Sequence, residues 1–331
     1  MTFVLALLPS LIWGITNLLT PWVGGNLRQQ LMGMSTGALA LSAIVFAVLR
    51  PEISLPDAAL AYASGLLISA GLYYILWAFK AIGVSRALPL TTGIQLVGLA
   101  LFGVIGYGEW ATTLAKVFGG LALIVITAGT AAISWEDRRS ERVGDAADYP
   151  VIPLRYGLPA VLLASACFIT YPAMLRVGEV SGFGTIAPQA LGMFTGCALF
   201  TAARVGDAPV RLLLPGSRFA HAVALGGDHL YPLGARPRPW RTDLASRKFA
   251  AFVVLGALWL SAVAQLVWNN ENIGVATAFP LSQLGVVIST LGALYWLKEP
   301  KTGRERRAIF AGAIALGIGA ALIGVAKSFD L

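Results

Sequence analysis

Ten apolar runs, each long enough to cross a membrane as a helix, follow one another along this chain of 331 residues. About 20 helical residues span the roughly 30 Å of hydrocarbon in a bilayer. Only 12% of the residues are charged, whereas soluble proteins carry about 25%. The sequence therefore predicts an all-α membrane protein with ten transmembrane helices, placed in the cell membrane with lipid around it. The predicted spans are 3–21, 31–49, 58–79, 86–107, 113–134, 154–175, 184–203, 249–270, 274–297 and 307–326.

Two of these runs carry copies of one motif. Residues 82–110 read IGVSRALPLTTGIQLVGLALFGVIGYGEW, and residues 273–300 read IGVATAFPLSQLGVVISTLGALYWLKEP. Glycine, valine, alanine, proline and leucine recur at matched positions, and after one residue of slippage Glu109 matches Glu299. Apolar helices rarely resemble one another in register over such a length, so the pattern indicates a duplication.

The duplication extends over five spans in each half of the chain. Gly65–Leu90 aligns with Gly256–Leu281 at a constant offset, and Gln30–Gly37 resembles Gln189–Gly196. An odd number of spans per half makes the second copy enter the membrane upside down, which predicts an inverted repeat of the kind found in transporters. The predicted divisions are a first five-helix repeat at 1–134, a cytoplasmic linker at 135–153, and a second five-helix repeat at 154–326 that an irregular loop at 204–248 interrupts.

The basic residues predict the orientation of the chain. Most Lys and Arg residues follow odd-numbered spans, whereas the opposite side has only Arg50, Lys116, Arg176 and Lys327. The side richer in Lys and Arg faces the cytoplasm. We therefore expect a multi-pass protein whose two termini are both extracytoplasmic.

Composition also argues against several classes of protein. The chain has a net charge of +8, and its Lys and Arg residues lie between the apolar runs. This distribution indicates membrane topology and not nucleic-acid binding. Cys167 and Cys197 lie inside apolar runs without other ligand-type residues at metal-binding spacing, and the histidines His221 and His229 lie in a polar loop. No metal site, no cofactor and no histidine proton relay is expected.

A small polar face marks the fourth and ninth spans. Thr92 and Gln95 share a broad helical face with Pro89, and Ser282 and Gln283 lie at the corresponding place beside Pro280, with Thr290 farther along. Buried hydroxyls and amides need partners in a membrane, and they suit a polyhydroxylated neutral substrate because each can donate and accept. Hydrogen bonding between helices is the alternative. We expect the matched set to line a cavity, with the two prolines bending the spans that gate it.

Further residues are candidates for the wall of this cavity. Trp13 and Asn17 share a face in span one, and Gln265 and Asn269 share a face in span eight. Gln189 in span seven joins them. An aromatic ring can stack on the apolar face of a sugar, and amides can bind its hydroxyl groups.

Acidic residues are absent from the centres of the predicted spans. Glu109 and Glu299 lie near span ends, where a carboxylate can couple transport to protons or can instead cap a helix or pair with a neighbouring lysine. The residues by themselves leave the coupling ion open.

The loop at 204–248 has a different composition from the rest of the chain. It contains Pro209, Pro215, Pro232, Pro237 and Pro239 and has no clear periodicity, which predicts irregular structure. A tolerated insertion, a partner-binding segment and a misread gene sequence are the interpretations it leaves open.

The two motifs and the opening LLPSLIWGITNL resemble the glucose/ribose porter family of bacterial sugar uptake proteins, within the drug/metabolite transporter superfamily. The resemblance covers about 1–203 and 249–326. It implies ten spans in two inverted halves, a centrally bound monosaccharide such as glucose or ribose, and uptake with protons.

Three other functions remain as alternatives. An exporter of small metabolites or drugs would share the fold, but export of cations calls for a central carboxylate, which is missing. A membrane enzyme would need catalytic Asp, Glu or His residues grouped at one membrane face, and no such group is evident. A purely structural protein has no need for a matched polar face in both halves.

Overall fold

The protein folds into α-helices throughout the part of the chain that the computed structural model describes, which is residues 7–108, 110–135, 137, 154–203, 243–273, 281–299 and 301–329. In these residues there are ten α-helices, one short 3₁₀ turn and no strand. The helices are α1 Leu8–Val23, α2 Leu27–Leu49, α3 Leu55–Ile82, α4 Val84–Tyr107, α5 Thr113–Ser134, α6 Leu154–Val177, α7 Ile186–Ala203, α8 Arg247–Ile273, α9 Gly285–Tyr295 and α10 Gly303–Ser328.

Each helix falls on one of the predicted apolar runs. Eight of the described helices are long and apolar enough to cross a membrane. The remaining two are α1, with 16 described residues, and α9, with 11. The all-α membrane architecture is therefore confirmed, and the count of ten spans stays a prediction.

Helices α2 and α10 begin before their predicted apolar runs because polar capping residues start them. Asn26 accepts a hydrogen bond from the Gln29 backbone N–H at 2.8 Å, and the Gln29 side chain accepts one from the Asn26 N–H at 3.0 Å. Thr302 and Glu305 form the same kind of capping box at the start of α10. Hydropathy marks the apolar span, whereas the cap marks the first turn of the helix.

The ninth span differs from the continuous helix predicted over 274–297. Leu281 and Ser282 are helical, Gln283 and Leu284 form a turn, and the helix resumes at Gly285. The Leu284 N–H donates to the Leu281 carbonyl at 3.2 Å, and the Val286 N–H donates to the Gln283 carbonyl at 3.1 Å. These are bonds across three residues, as in a 3₁₀ turn, so the α-helical ladder is broken at this point.

Two compact units make up the chain, and each takes helices from both predicted halves. Unit 1 contains Met1–Leu18, Gly83–Val151 and Gln265–Leu331, and unit 2 contains Leu19–Ile82 and Ile152–Ala264. Unit 1 thus holds α4, α5, α9 and α10 with most of α1, whereas unit 2 holds α2, α3, α6 and α7 with most of α8.

Glycines bring the helices of unit 1 close together. A Cβ added to Gly129 of α5 would lie 2.9 Å from the Gly312 carbonyl oxygen of α10. Glycine contacts of this type replace the hydrophobic driving force that is missing between helices in lipid. Helix α5 packs on α10, and α4 contacts both of them.

Unit 2 holds the last part of the predicted irregular loop in an ordered structure. Asp243 accepts hydrogen bonds from the Asn26 amide at 2.9 Å and from Arg28 at 3.3 Å, and both members of the ion pair are buried. The Gln29 amide donates to Ser246 at 2.9 Å, and α8 begins at Arg247. Residues 247 and 248 thus belong to α8, a turn and a bend at 245 and 246 precede it, and residues 204–242 lie outside the described part.

Candidate functional site

Unit 1 contains eight of the nine residues predicted to bind substrate. These eight are Trp13, Asn17, Thr92, Gln95, Gln265, Asn269, Ser282 and Gln283. The ninth, Gln189, lies in unit 2.

The break before α9 places Gln283 in a non-helical turn within an apolar segment, directly after the helical Ser282. Ser282 is 1% exposed, and the Gln283 amide donates to its hydroxyl at 3.1 Å. Backbone that leaves the helical ladder at membrane depth is tolerated where it is enclosed by protein or lines a cavity. Transporters use such interrupted helices to bind substrates.

Helix α9 packs on three neighbouring helices, α1, α10 and α4. On one face, a Cβ on Gly14 of α1 would lie 2.9 Å from the Gly285 carbonyl oxygen. On another, a Cβ on Gly317 of α10 would lie 3.5 Å from the Leu284 side chain. Ser289 and Thr290 are both 0% exposed. Ser289 lies four residues after Gly285 and shares its face, whereas Thr290 is rotated from Gly285 by about 140°.

Helix α4 packs against α9 and carries the matching polar residues. Gly93 faces α5 and α10, where a Cβ would approach the Thr130 hydroxyl and the Leu316 side chain. Thr92, 6% exposed, and the half-buried Gln95 are rotated away from that contact by about 100° and 200°. Pro89 is buried within a continuous helix, while Pro280 lies outside the described residues.

Two amides of α8 interact as their spacing predicts. The Gln265 amide donates to the Asn269 side-chain oxygen at 3.2 Å, and Asn269 is 1% exposed. On α1, the half-buried Trp13 and Asn17 flank Gly14, the residue at the crossing with α9. Unit 1 thus contributes polar groups from α1, α4, α8 and the start of α9.

Gln189 has a different environment from the others. Its amide donates to the Ser64 hydroxyl at 2.9 Å, which joins α7 to α3 inside unit 2. This is the hydrogen bond between helices that the sequence analysis gave as the alternative to substrate binding.

Glu299 caps the start of α4. Its carboxylate accepts the Val84 N–H at 2.7 Å and the Ser85 N–H at 3.3 Å, and the Ser85 hydroxyl also donates to it. Gly83 has φ +81°, and a Cβ there would lie within about 3 Å of this carboxylate. Glu109, the other candidate for proton coupling, lies outside the described residues.

A buried ion pair next to this cap was not anticipated from the sequence. Arg86 donates to Glu305 at 2.6 Å, and both side chains are 0% exposed. Arg86 also donates to the Trp135 carbonyl oxygen at 3.2 Å. The signal that could have indicated it is the capping-box spacing of Thr302 and Glu305, because a cap places the glutamate at a helix start within reach of a cation.

A cavity of about 450 Å³ lies elsewhere, in unit 2. Three acidic side chains, Glu52, Asp57 and Glu179, contribute to its lining. None of the predicted substrate-binding residues contributes to it.

Comparison with known sequences gives one family. The sequence model of the family described as Sugar transport protein matches residues 4–225 and 241–326. The match includes part of the 204–248 loop, so the likeness extends further into that loop than the resemblance of the motifs indicated.

Full-length relatives agree with this match. A protein of Listeria innocua named as a sugar uptake protein is 33% identical over 327 residues, which cover 99% of each chain. Glucose uptake protein GlcU of Bacillus subtilis is 32% identical over 329 residues and 99% of each chain. A protein of Bacillus cereus named as a sugar uptake protein is 30% identical over 328 residues, covering 99% of this chain and all of the relative.

Proposed function

Because the chain belongs to the sugar transport protein family, we propose that it takes up a monosaccharide of the glucose or ribose class across the cell membrane by alternating access. The names of the relatives describe uptake of sugar or glucose and not an enzymatic reaction. The observation that carries the proposal is the break at Gln283 and Leu284, which places Gln283 in a turn inside an apolar span, with its amide bonded to the neighbouring Ser282.

The architecture we propose is ten spans in two inverted repeats of five. One pair of repeat-related glycines supports it within unit 2. A Cβ on Gly65 would meet the backbone of Met193, and a Cβ on Gly256 would meet the backbone of Met34. The sequence alignment pairs Gly65 with Gly256 and Met34 with Met193, so each copy makes the equivalent contact. We further propose that both termini are extracytoplasmic, as the basic residues predict.

The chemistry of the polar residues suits a neutral sugar. Thr92, Gln95, Ser282 and Gln283 supply hydroxyls and amides that can both donate to and accept from sugar hydroxyl groups. Trp13 and Asn17 on α1, with Gln265 and Asn269 on α8, would complete the wall. We assign Gln189 to helix packing, because its amide is already bonded to Ser64.

The interrupted span is where the conformational change would occur. A turn with bonds across three residues gives up helical hydrogen bonding that the continuous α4 retains, so it is the easier place for the backbone to rotate. Pro89 and Pro280 each remove one backbone donor next to the polar residues, which would lower the cost of bending further.

Counterflow of radiolabelled glucose and ribose in proteoliposomes tests the proposal. Exchange of either sugar supports it, and stimulation by an imposed pH gradient would add proton coupling. No exchange of any monosaccharide by correctly inserted protein would overturn it and leave export of small metabolites as the next hypothesis.

A further inference from the structure

Thr290 on α9 has an unusual environment for a threonine in an apolar helix. Its hydroxyl oxygen is fully buried and has no hydrogen-bond partner among the residues that the structure describes. Other threonines in the apolar helices donate to the carbonyl oxygen four residues earlier, and these are Thr91, Thr127, Thr130, Thr170 and Thr201. Thr290 does not make the equivalent bond to Val286, so its hydroxyl has no partner on its own helix.

A buried hydroxyl without a partner destabilises the conformation in which it is enclosed. The packing of α9 does not require a hydroxyl at this position, because valine has the same shape as threonine. An orphaned polar group of this kind therefore calls for a physical explanation, such as a ligand that supplies the missing partner in another conformation.

The position of Thr290 indicates which ligand that is. It is rotated by about 140° from Gly285, which packs on Gly14 of α1, and by about 60° from Val287, which lies near Gly317 of α10. Gln283, which carries an amide able to bind sugar hydroxyl groups, is seven residues earlier in the sequence, in the turn before α9. The helix α4, which bears Thr92 and Gln95, packs against α9.

We propose that Thr290 is a sugar-binding residue, whose hydroxyl forms a hydrogen bond with one specific hydroxyl group of the transported monosaccharide. The proposal rests on the proposed function. Because the Thr290 side chain is enclosed here, the bond forms only in a conformation in which this face of α9 is opened to the sugar.

The test is the half-saturation concentration for counterflow of glucose and of each monodeoxyglucose, measured for the wild type and for Thr290→Val. We expect Thr290→Val to raise the value for glucose about tenfold, as the loss of one hydrogen bond would. For the one analogue that lacks the partner hydroxyl, wild type and variant should have the same value. Thr290→Ser, which keeps the hydroxyl, should resemble the wild type.

Thr127→Val is the matched control. Thr127 is exposed on α5 and bonds back to Leu123 at 2.7 Å, so its replacement should leave every sugar unchanged. Thr290→Val should also unfold at a temperature no lower than the wild type, since it breaks no hydrogen bond among the described residues. If this variant is not inserted, Thr290→Ala removes the same hydroxyl without adding a methyl group and gives the same comparison.

Three outcomes overturn the proposal. An unchanged half-saturation concentration for glucose in Thr290→Val, with wild-type exchange intact, removes Thr290 from the site and leaves the proposed function standing. An equal loss for glucose and all of its deoxy analogues assigns Thr290 to packing. A wild-type protein that exchanges no monosaccharide overturns both this inference and the proposed function.

Discussion

The two copies of the repeated motif fold differently although their sequences match. The first forms the continuous helix α4 from Val84 to Tyr107, whereas the second is interrupted at Gln283 and Leu284 before α9 begins. Both copies carry a proline at the same place. Proline alone therefore does not decide whether the helix is continuous.

The two copies of the motif are similar in sequence, but the groups packed around them differ. The start of α4 is held by the carboxylate of Glu299 and by the buried Arg86–Glu305 pair. Gly93 lets α4 approach Thr130 closely, whereas Leu284 at the matched position puts a side chain next to Gly317. The comparison teaches that the motif specifies where polar residues lie in a span, and that tertiary contacts decide whether the span is held as one helix.

Breaking the ion pair should have the largest effect. Arg86→Met leaves Glu305 buried without its cation, and loss of one partner of a buried pair costs about 3–5 kcal/mol of the free energy of unfolding. Thermal unfolding in detergent should show the loss, together with a lower yield in the membrane. The double variant Arg86→Met/Glu305→Gln should recover part of it, and a single variant as stable as the wild type would contradict the anchoring of α4.

Hydrogen exchange compares the two copies without a mutation. We expect the backbone amides of 284–287 to exchange about a hundredfold faster than those of 93–96, a difference of about 2.7 kcal/mol in local opening. The physical reason is that bonds across three residues hold the turn more weakly than a regular helix. Equal protection of the two segments would remove the proposed hinge.

Replacing the polar side chains one copy at a time tests which copy holds the sugar more strongly. Gln283→Ala should raise the half-saturation concentration for uptake about tenfold, and Thr92→Val on the continuous helix about threefold. Immunoblotting of the membranes is the control. A fall in the amount of Gln283→Ala protein that matches its loss of uptake would instead indicate a role in packing.

Weakening the cap of α4 should have the smallest effect. Glu299→Gln keeps an acceptor oxygen but loses the charge at the helix start, which costs about 1 kcal/mol. We expect a small drop in thermal stability and an unchanged response of transport to a pH gradient. Unchanged thermal stability together with a lost response to the pH gradient would assign Glu299 to proton coupling. The matched control is Ser85→Ala, which removes a single donor to the same carboxylate.

Particular residues show how far the sequence could predict the site. The i, i+4 spacing of Gln265 and Asn269 predicts a shared face, and their hydrogen bond confirms it. Gln189 looked similar in sequence, yet its amide bonds to Ser64, 125 residues away along the chain. Gln265 and Gln189 are both glutamines within apolar runs. Only the neighbouring helix decides that Gln265 bonds within its own helix and that Gln189 joins two helices.

Arg86 illustrates the same limit for charged residues. In sequence it is one of several basic residues near a span end, as the topology of a membrane protein requires. In the structure it is fully buried against Glu305, 219 residues away along the chain. No local periodicity contains information about such a partner.

The sequence by itself determined the all-helical membrane architecture, the positions of the apolar helices and the polar residues within them. These properties follow from hydropathy and from the 3.6-residue period, which act over a few turns of one helix. Only the tertiary structure decided the start of α4 at Val84, the break at Gln283 and Leu284, and which buried hydroxyls have partners. Those features depend on groups far apart in the chain, because in a membrane each buried polar group is stabilised by whichever helix lies beside it.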